Sequence, residues 1–119
     1  MAAHNEFGKA GEQMAAEWLG QQGFRILFRN WKFSRYEIDI IAHHSGILHF
    51  IEVKSRSDDL FGKPEDWVNR EKGRHLLIAG EAFQQKNPSW NLVQYDILSI
   101  LLIPDGNPEF FFIEDVYWW

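Results

Sequence analysis

Apolar residues at Phe7, Ala10, Met14, Ala15, Trp18 and Leu19 recur at three- and four-residue spacing, which predicts an amphipathic helix over 5–21. Asn5 suits its cap, and the Gly20–Gly23 stretch suits its stop. Residues 24–33 (FRILFRNWKF) partly alternate apolar and basic side chains, the period of a half-buried strand. Two further apolar segments, 37–43 and 47–55, flank the polar turn His43-His44-Ser45-Gly46 and predict a β-hairpin. Residues 56–64 hold Ser57, Asp58, Asp59, Gly62 and Pro64 and read as a loop. The set Trp67, Val68, Leu76, Leu77, Ala79, Gly80 and Phe83 predicts a second helix over 65–86, ending before Asn87–Pro88. Strands at 91–102 and 109–117 follow, split by the Pro-Asp-Gly-Asn-Pro turn at 104–108. The order α-β-β-β-α-β-β predicts one α/β domain over 1–119, with a mixed central sheet flanked by helices.

The hairpin carries charges where apolar residues are expected. Asp39 lies within Glu-Ile-Asp-Ile-Ile, and Glu52 and Lys54 lie within Phe-Ile-Glu-Val-Lys. Charges inside such segments cost several kcal/mol unless paired, solvated or metal-bound. In a strand, residues two apart share a face, so Glu37, Asp39 and Ile41 group together, as do Phe50, Glu52 and Lys54. A hairpin loop with an even number of residues puts Asp39 opposite Phe50 or Glu52 on the same face. Opposite residues have Cβ atoms about 4.5–5.5 Å apart, close enough for two carboxylates to share a divalent cation. Ile38, Ile40, Ile51 and Val53 are then expected to point the other way, into the core, dividing the hairpin into a chemical and a structural face. Carboxylates with water and phosphate oxygens suit Mg²⁺, which polarises a phosphodiester, lowers the pKa of a bound water and neutralises developing charge. Lys54 would orient that water or stabilise the transition state. The competing reading from spacing alone is an exposed ion pair of Lys54 with Glu37 or Asp39, worth about 0–1 kcal/mol.

Composition narrows the classes. With no Cys, disulfides and thiolate metal sites are excluded, which fits a reducing cytoplasm. No apolar run approaches the ~20 residues that span a bilayer, and the N-terminus has no signal-peptide pattern. A cytoplasmic protein without a membrane partner is therefore expected. Six Trp and ten Phe allow a small fold to bury a large apolar area. The net charge of −5 argues against a nonspecific nucleic-acid binder, yet its distribution is uneven. Residues 25–74 carry ten Lys/Arg against eight Asp/Glu, so the basic side chains surround the hairpin, whereas the flanking segments are acidic.

The pattern Asp39, twelve residues, then Glu52-Val53-Lys54 resembles the PD-(D/E)XK nuclease superfamily. More narrowly, the chain resembles the small bacterial YraN-like family. The matching stretches are Gly11-Glu12 with Ala15 and Leu19, Gly23 to Leu27, Asn30, Glu37 to Ile41, Phe50 to Lys54, Phe61-Gly62 and Lys72, covering roughly residues 5–100. The resemblance extends to archaeal-type Holliday-junction resolvases, which carry an acidic residue on the first helix; Glu12 is the matching position. The resemblance implies a restriction-endonuclease-like fold and a Mg²⁺- or Mn²⁺-dependent cut in DNA, at branched or damaged sites. Glu12, Asp39 and Glu52 would be metal ligands, and Asp39, Glu52 and Lys54 the catalytic set. Glu37 would be either a further ligand or a salt-bridge partner. Two positions depart from the family: Tyr36 stands where Gly is usual, and Gln94 where a basic residue is usual. A non-catalytic nucleic-acid-binding or protein-interaction module on the same fold is the alternative, which the acidic net charge and Tyr36 favour.

Arg25, Arg29, Lys32, Arg35, Arg56 and Lys72 are the expected nucleic-acid contacts, with Lys63, because backbone binding is mainly charge neutralisation. His43 and His44 read as solvated turn residues, His49 as packed in or near the core, and Asp96 as a structural hydrogen-bonding group. Lys72, Arg74 and His75 either contact phosphates or form a solvated helix face. Trp31 and Trp67 fit stacking on bases or core packing. The aromatic end Tyr117-Trp118-Trp119 would pack back on the sheet or join a partner subunit, and resemblance to junction-cutting enzymes points to a homodimer.

Overall fold

The computed structural model describes residues 2–57 and 70–116. Its elements run α1 (Ala2–Gln21), β1 (Arg25–Phe33), β2 (Tyr36–His44), β3 (Ile47–Arg56), α2 (Arg70–Lys86), β4 (Val93–Leu101) and β5 (Glu109–Ile113). This is the predicted order, and the chain forms an α/β fold with a five-stranded mixed sheet and two helices. Phe61–Gly62, Lys63, the Trp67–Val68 start of the second helix and the Tyr117–Trp119 end lie outside the described residues. The last strand stops at Ile113 rather than continuing to 117. Val116 is still tied to the sheet, its N–H donating to the Tyr95 carbonyl at 2.8 Å.

The strands lie in the order β1-β2-β3-β4-β5. All neighbours are antiparallel except β3 and β4. A parallel pair needs a long crossover, and the segment holding α2 supplies it. The β2–β3 connection is a two-residue turn, with His44 paired to Ile47 and both Ser45 (φ 51°) and Gly46 (φ 80°) left-handed. Two positive φ values match the twist of the flanking strands, which is why Gly at the second position fits this hairpin.

Helices cover both faces of the sheet, so the expected division into a chemical and a structural face does not hold. Ala15 and Leu19 of α1 pack with Ile40, Ala42, Ile51, Leu98 and Ile100. Leu76, Ala79 and Phe83 of α2 pack with Ile38, Ile41, Leu48, Phe50 and Ile97. Ile41 and Phe50, assigned by strand parity to the chemical face, are thus fully buried under α2. Ile38 and Ile40 also join opposite cores, so alternation breaks at Asp39. Asn30 lies across from that break, between the Arg29–Ile40 and Trp31–Ile38 pairs, with φ 55°. A left-handed residue within β1 departs from extended strand geometry there.

Two glycines set how closely the helices approach the sheet. A Cβ at Gly11 would collide with the Ser55 hydroxyl, so α1 lies directly against β3 at this level. A Cβ at Gly80 would stand 2.5 Å from Tyr95 Oη and 3.0 Å from Phe50 Cδ2. Gly80→Ala is therefore expected to destabilise the fold by about 1–3 kcal/mol through overpacking, outweighing the ~1 kcal/mol that Ala gains over Gly within a helix. Urea denaturation with an unchanged m-value checks this.

Candidate active site

The site forms where β2 and β3 part. Ladder pairing ends at Ile40–Ile51, and one step further the same register faces Asp39 with Glu52. The turn does have an even number of residues, and of the two partners that parity allowed, Glu52 is the one. Asp39 Oδ2 accepts the Val53 N–H at 2.8 Å, replacing the lost backbone pairing by a side-chain bond. Asp39 and Glu52 line a cleft of about 190 Å³, bounded by Arg35, Tyr36, Lys72 and His75. It opens at the carboxyl end of β3, beside a parallel pair, where α/β sheets commonly bind ligands.

Burial dominates the electrostatics here. It raises the Asp39 carboxyl to about 7 against the lowering influence of the Val53 N–H, and repulsion from Glu12, Glu37 and Glu52 adds to the rise. Three acidic side chains from three elements thus act on Asp39. Gly11 explains how Glu12 takes part, since the close contact at Ser55 holds that turn of α1 near the end of β3. Glu12 does not itself line the cleft, and among the described residues no three His, Asp or Glu side chains are drawn together into a ready ligand set.

Lys54 is lowered from the usual lysine range, chiefly by burial, opposed by Glu52 and assisted by Lys72 and Arg56. Its Nζ lies 4.0 Å from Glu52 Oε1, beyond hydrogen-bond reach. That Glu52 oxygen is buried and has no hydrogen-bond partner among the described residues. A buried acceptor left open beside a carboxyl raised by burial is a donor set suited to a cation, so the residues present fit a divalent metal. Glu37 pairs with Lys32 at 3.8 Å, and Lys54 approaches Glu52 from a largely buried position, unlike the exposed pair with Glu37 or Asp39 that spacing alone allowed.

The expected nucleic-acid contacts divide. Arg35 and Lys72 line the cleft, and Arg56 is close enough to influence Lys54. Arg25, Arg29 and Lys32 lie on the edge strand β1 and do not line it; Arg29 donates to Gln13 Oε1 on α1 at 2.8 Å. His75 lies in the cleft wall rather than on a purely solvated face, its ring 5.0 Å from that of Tyr36. Sequence reasoning missed this aromatic pair. Its signal was available, since Lys72, His75 and Leu76 share one helix face by three- and four-residue spacing.

The other histidines have structural roles. His44 stacks on Phe24 at 4.3 Å and His43 leans on Trp90 at 5.0 Å, so both are half-buried strand residues, not solvated turn residues. His49 Nδ1 lies 2.6 Å from Asp96 Oδ2 in the core. Asp96 Oδ1 also accepts from Gln94 Nε2 at 2.9 Å and from the Asp115 N–H at 2.8 Å, which ties the chain after β5 to β4. Gln94 is thus a structural donor. Trp31 packs edge-on against Phe83, with the Lys86 ammonium 5.7 Å from its centroid, and belongs to the α2 core. Asp96→Ala leaves a buried imidazole and a backbone N–H without their acceptor, and is expected to cost about 3 kcal/mol. Thermal and urea denaturation read that loss, and binding at the cleft stays intact in the folded fraction.

No described helix is long and apolar enough to cross a membrane. Residues 11–100 match the profile of an uncharacterised protein family, UPF0102. UPF0102 proteins of Phocaeicola vulgatus (41% identity over 85% of this chain and 84% of the relative), Flavobacterium johnsoniae (41% over 96% and 93%) and Dictyoglomus turgidum (40% over 87% and 88%) are similar along most of their length. The match spans Glu12, Asp39, Glu52, Lys54, Lys72 and His75, and the chain belongs to the UPF0102 family.

Proposed function

We propose that the protein is a metal-dependent nuclease of the PD-(D/E)XK type that hydrolyses DNA phosphodiesters with Mg²⁺ or Mn²⁺. The observation that carries this reading is Asp39 and Glu52 in one cleft, with an open buried carboxylate oxygen and Lys54 alongside. Asp39 and Glu52 would hold the ion, with Glu12 contributing from α1. A bound Mg²⁺ would polarise the phosphodiester and make a water acidic enough to attack at neutral pH. Asp39 is held in place by the Val53 N–H, so its second oxygen can serve a ligand without the side chain swinging away. Lys54, partly desolvated, can donate to a phosphoryl oxygen as negative charge accumulates there, where a low dielectric strengthens the contact. Arg35 and Lys72 at the rim would neutralise the flanking phosphates.

The purified protein with Mg²⁺ or Mn²⁺ is incubated with single-stranded, duplex and branched DNA. Metal-dependent cleavage is expected, and its absence on every substrate overturns the reading. The specific observation for the alternative, a non-catalytic nucleic-acid-binding module, is that Tyr36 lines the cleft beside Asp39 and Glu52. DNA binding with no uptake of Mg²⁺ or Mn²⁺ in calorimetric titration would select it.

A further inference from the structure

Beside the acidic cleft lies a second depression, lined by Tyr36, Glu71, Arg74, His75 and Ile78. Tyr36 and His75 line both hollows, so the tilted pair of rings forms a ridge between them. The Arg35 guanidinium lies 5.4 Å from the Tyr36 ring centroid and donates to its hydroxyl at 3.3 Å, which steadies the ring. Ile78 remains 39% exposed on the wall of the second hollow, an apolar surface beside an arginine.

We propose that this second depression binds one unpaired nucleotide of the strand whose phosphodiester lies at Asp39 and Glu52. The chemistry of the walls matches the parts of a nucleotide. The ring ridge and Ile78 offer apolar and π surface to a base, and Arg74 offers a cation to its phosphate. Contiguity with the acidic cleft argues for this occupant, because neighbouring nucleotides of one strand would occupy the two hollows in succession. A base inside a continuous duplex is stacked on both sides and cannot turn into a lateral hollow without being unpaired first. The depression therefore selects single-stranded segments, frayed ends or flaps over intact duplex. It rests on the nuclease reading only for the statement that the neighbouring phosphate is cut.

Two measurements separate this proposal from that reading. In metal-free buffer, single-stranded DNA containing 2-aminopurine reports stacking as fluorescence quenching, with the same sequence as RNA run beside it. In Mg²⁺, the ratio of single-strand to duplex cleavage reports selection. Quenching of the unpaired base is expected with wild-type protein, by DNA alone or by both strands, and is expected to weaken about tenfold in affinity in Tyr36→Ala and in His75→Ala while Tyr36→Phe retains it. The cleavage ratio should favour single strands about tenfold and fall towards one in both alanine variants. Should Tyr36→Ala fail to fold, His75→Ala alone decides, since His75 is exposed on α2. Quenching without any cleavage keeps the nucleotide site and removes the nuclease reading. Cleavage with a ratio unchanged in the alanine variants, or an absence of quenching, overturns the nucleotide site.

Discussion

Asp39→Asn and Glu52→Gln are each expected to lower metal-dependent DNA cleavage by about 10³-fold or more, with the fold intact. Both changes keep side-chain volume and remove one negative charge. The side-chain oxygen of the introduced asparagine can still accept the Val53 N–H that holds position 39 against β3. What is lost is charge toward the ion, so the affinity for Mg²⁺ falls with the rate. Lys54→Ala is expected to behave differently, with a rate about 10²–10³-fold lower at unchanged metal affinity, because its ammonium stabilises developing charge and holds no metal. Calorimetric metal titration beside single-turnover cleavage separates the two classes. Cleavage that survives Asp39→Asn and Glu52→Gln removes the assignment, and equal loss of metal binding in all three variants removes the separate role of Lys54.

The element order was legible because each helix has its own apolar period and each turn its own punctuation. Gly46, the Asn87–Pro88 break and the 104–108 turn all lie between elements in the structure. Strand parity allowed Phe50 or Glu52 opposite Asp39, and the β2–β3 register selects Glu52. Parity failed on the surroundings for a definite reason. It assumes an unbroken strand, whereas Asn30 takes a left-handed conformation opposite Asp39 and departs from extended geometry there. Ile38 and Ile40 consequently belong to different cores, and the carboxylates occupy the splayed end of the hairpin instead of one whole face.

Composition around the site was less informative than its geometry. A sequence ranks basic residues by proximity along the chain, so Arg25 and Arg35 looked equivalent. The sheet separates them: Arg25 starts β1 opposite His43, at the end remote from Asp39, and Arg35 sits in the two-residue turn next to Tyr36. Glu12 is the reverse case. Nothing local distinguishes it from Glu17, yet Gly11 beside it allows the close helix–strand contact that brings it to bear on Asp39. His49 and Asp96 are forty-seven residues apart, and only the parallel pairing of β3 with β4 brings them together.

Without metal, the wild-type protein is expected to lose stability as pH rises from about 4 to about 7, by up to about 4 kcal/mol relative to Asp39→Asn. The sign follows from Asp39. Its carboxyl is raised from 3.8 to about 7, mainly by burial, so the folded protein keeps a proton that the unfolded chain has already released across this interval. The unfolded state then binds fewer protons, and unfolding becomes easier with each unit of pH until the folded carboxyl ionises too. An asparagine at this position carries no such proton, so the variant lacks this slope and is the more stable protein at pH 8, although it is the inactive one. Acidic groups remote from the cleft shape both curves alike, so the difference between the two proteins reports Asp39 together with the carboxylates that repel it. Mg²⁺ should narrow the gap at pH 8, because it binds the ionised carboxylate and stabilises the wild type by about 2.7 kcal/mol at a hundredfold excess over Kd, with little effect on Asp39→Asn. Urea midpoints from pH 4 to 8, with and without Mg²⁺, read all of these. Parallel curves for the two proteins would show that burial at Asp39 imposes no such cost, and the strain that makes the site receptive to a cation would have to lie elsewhere.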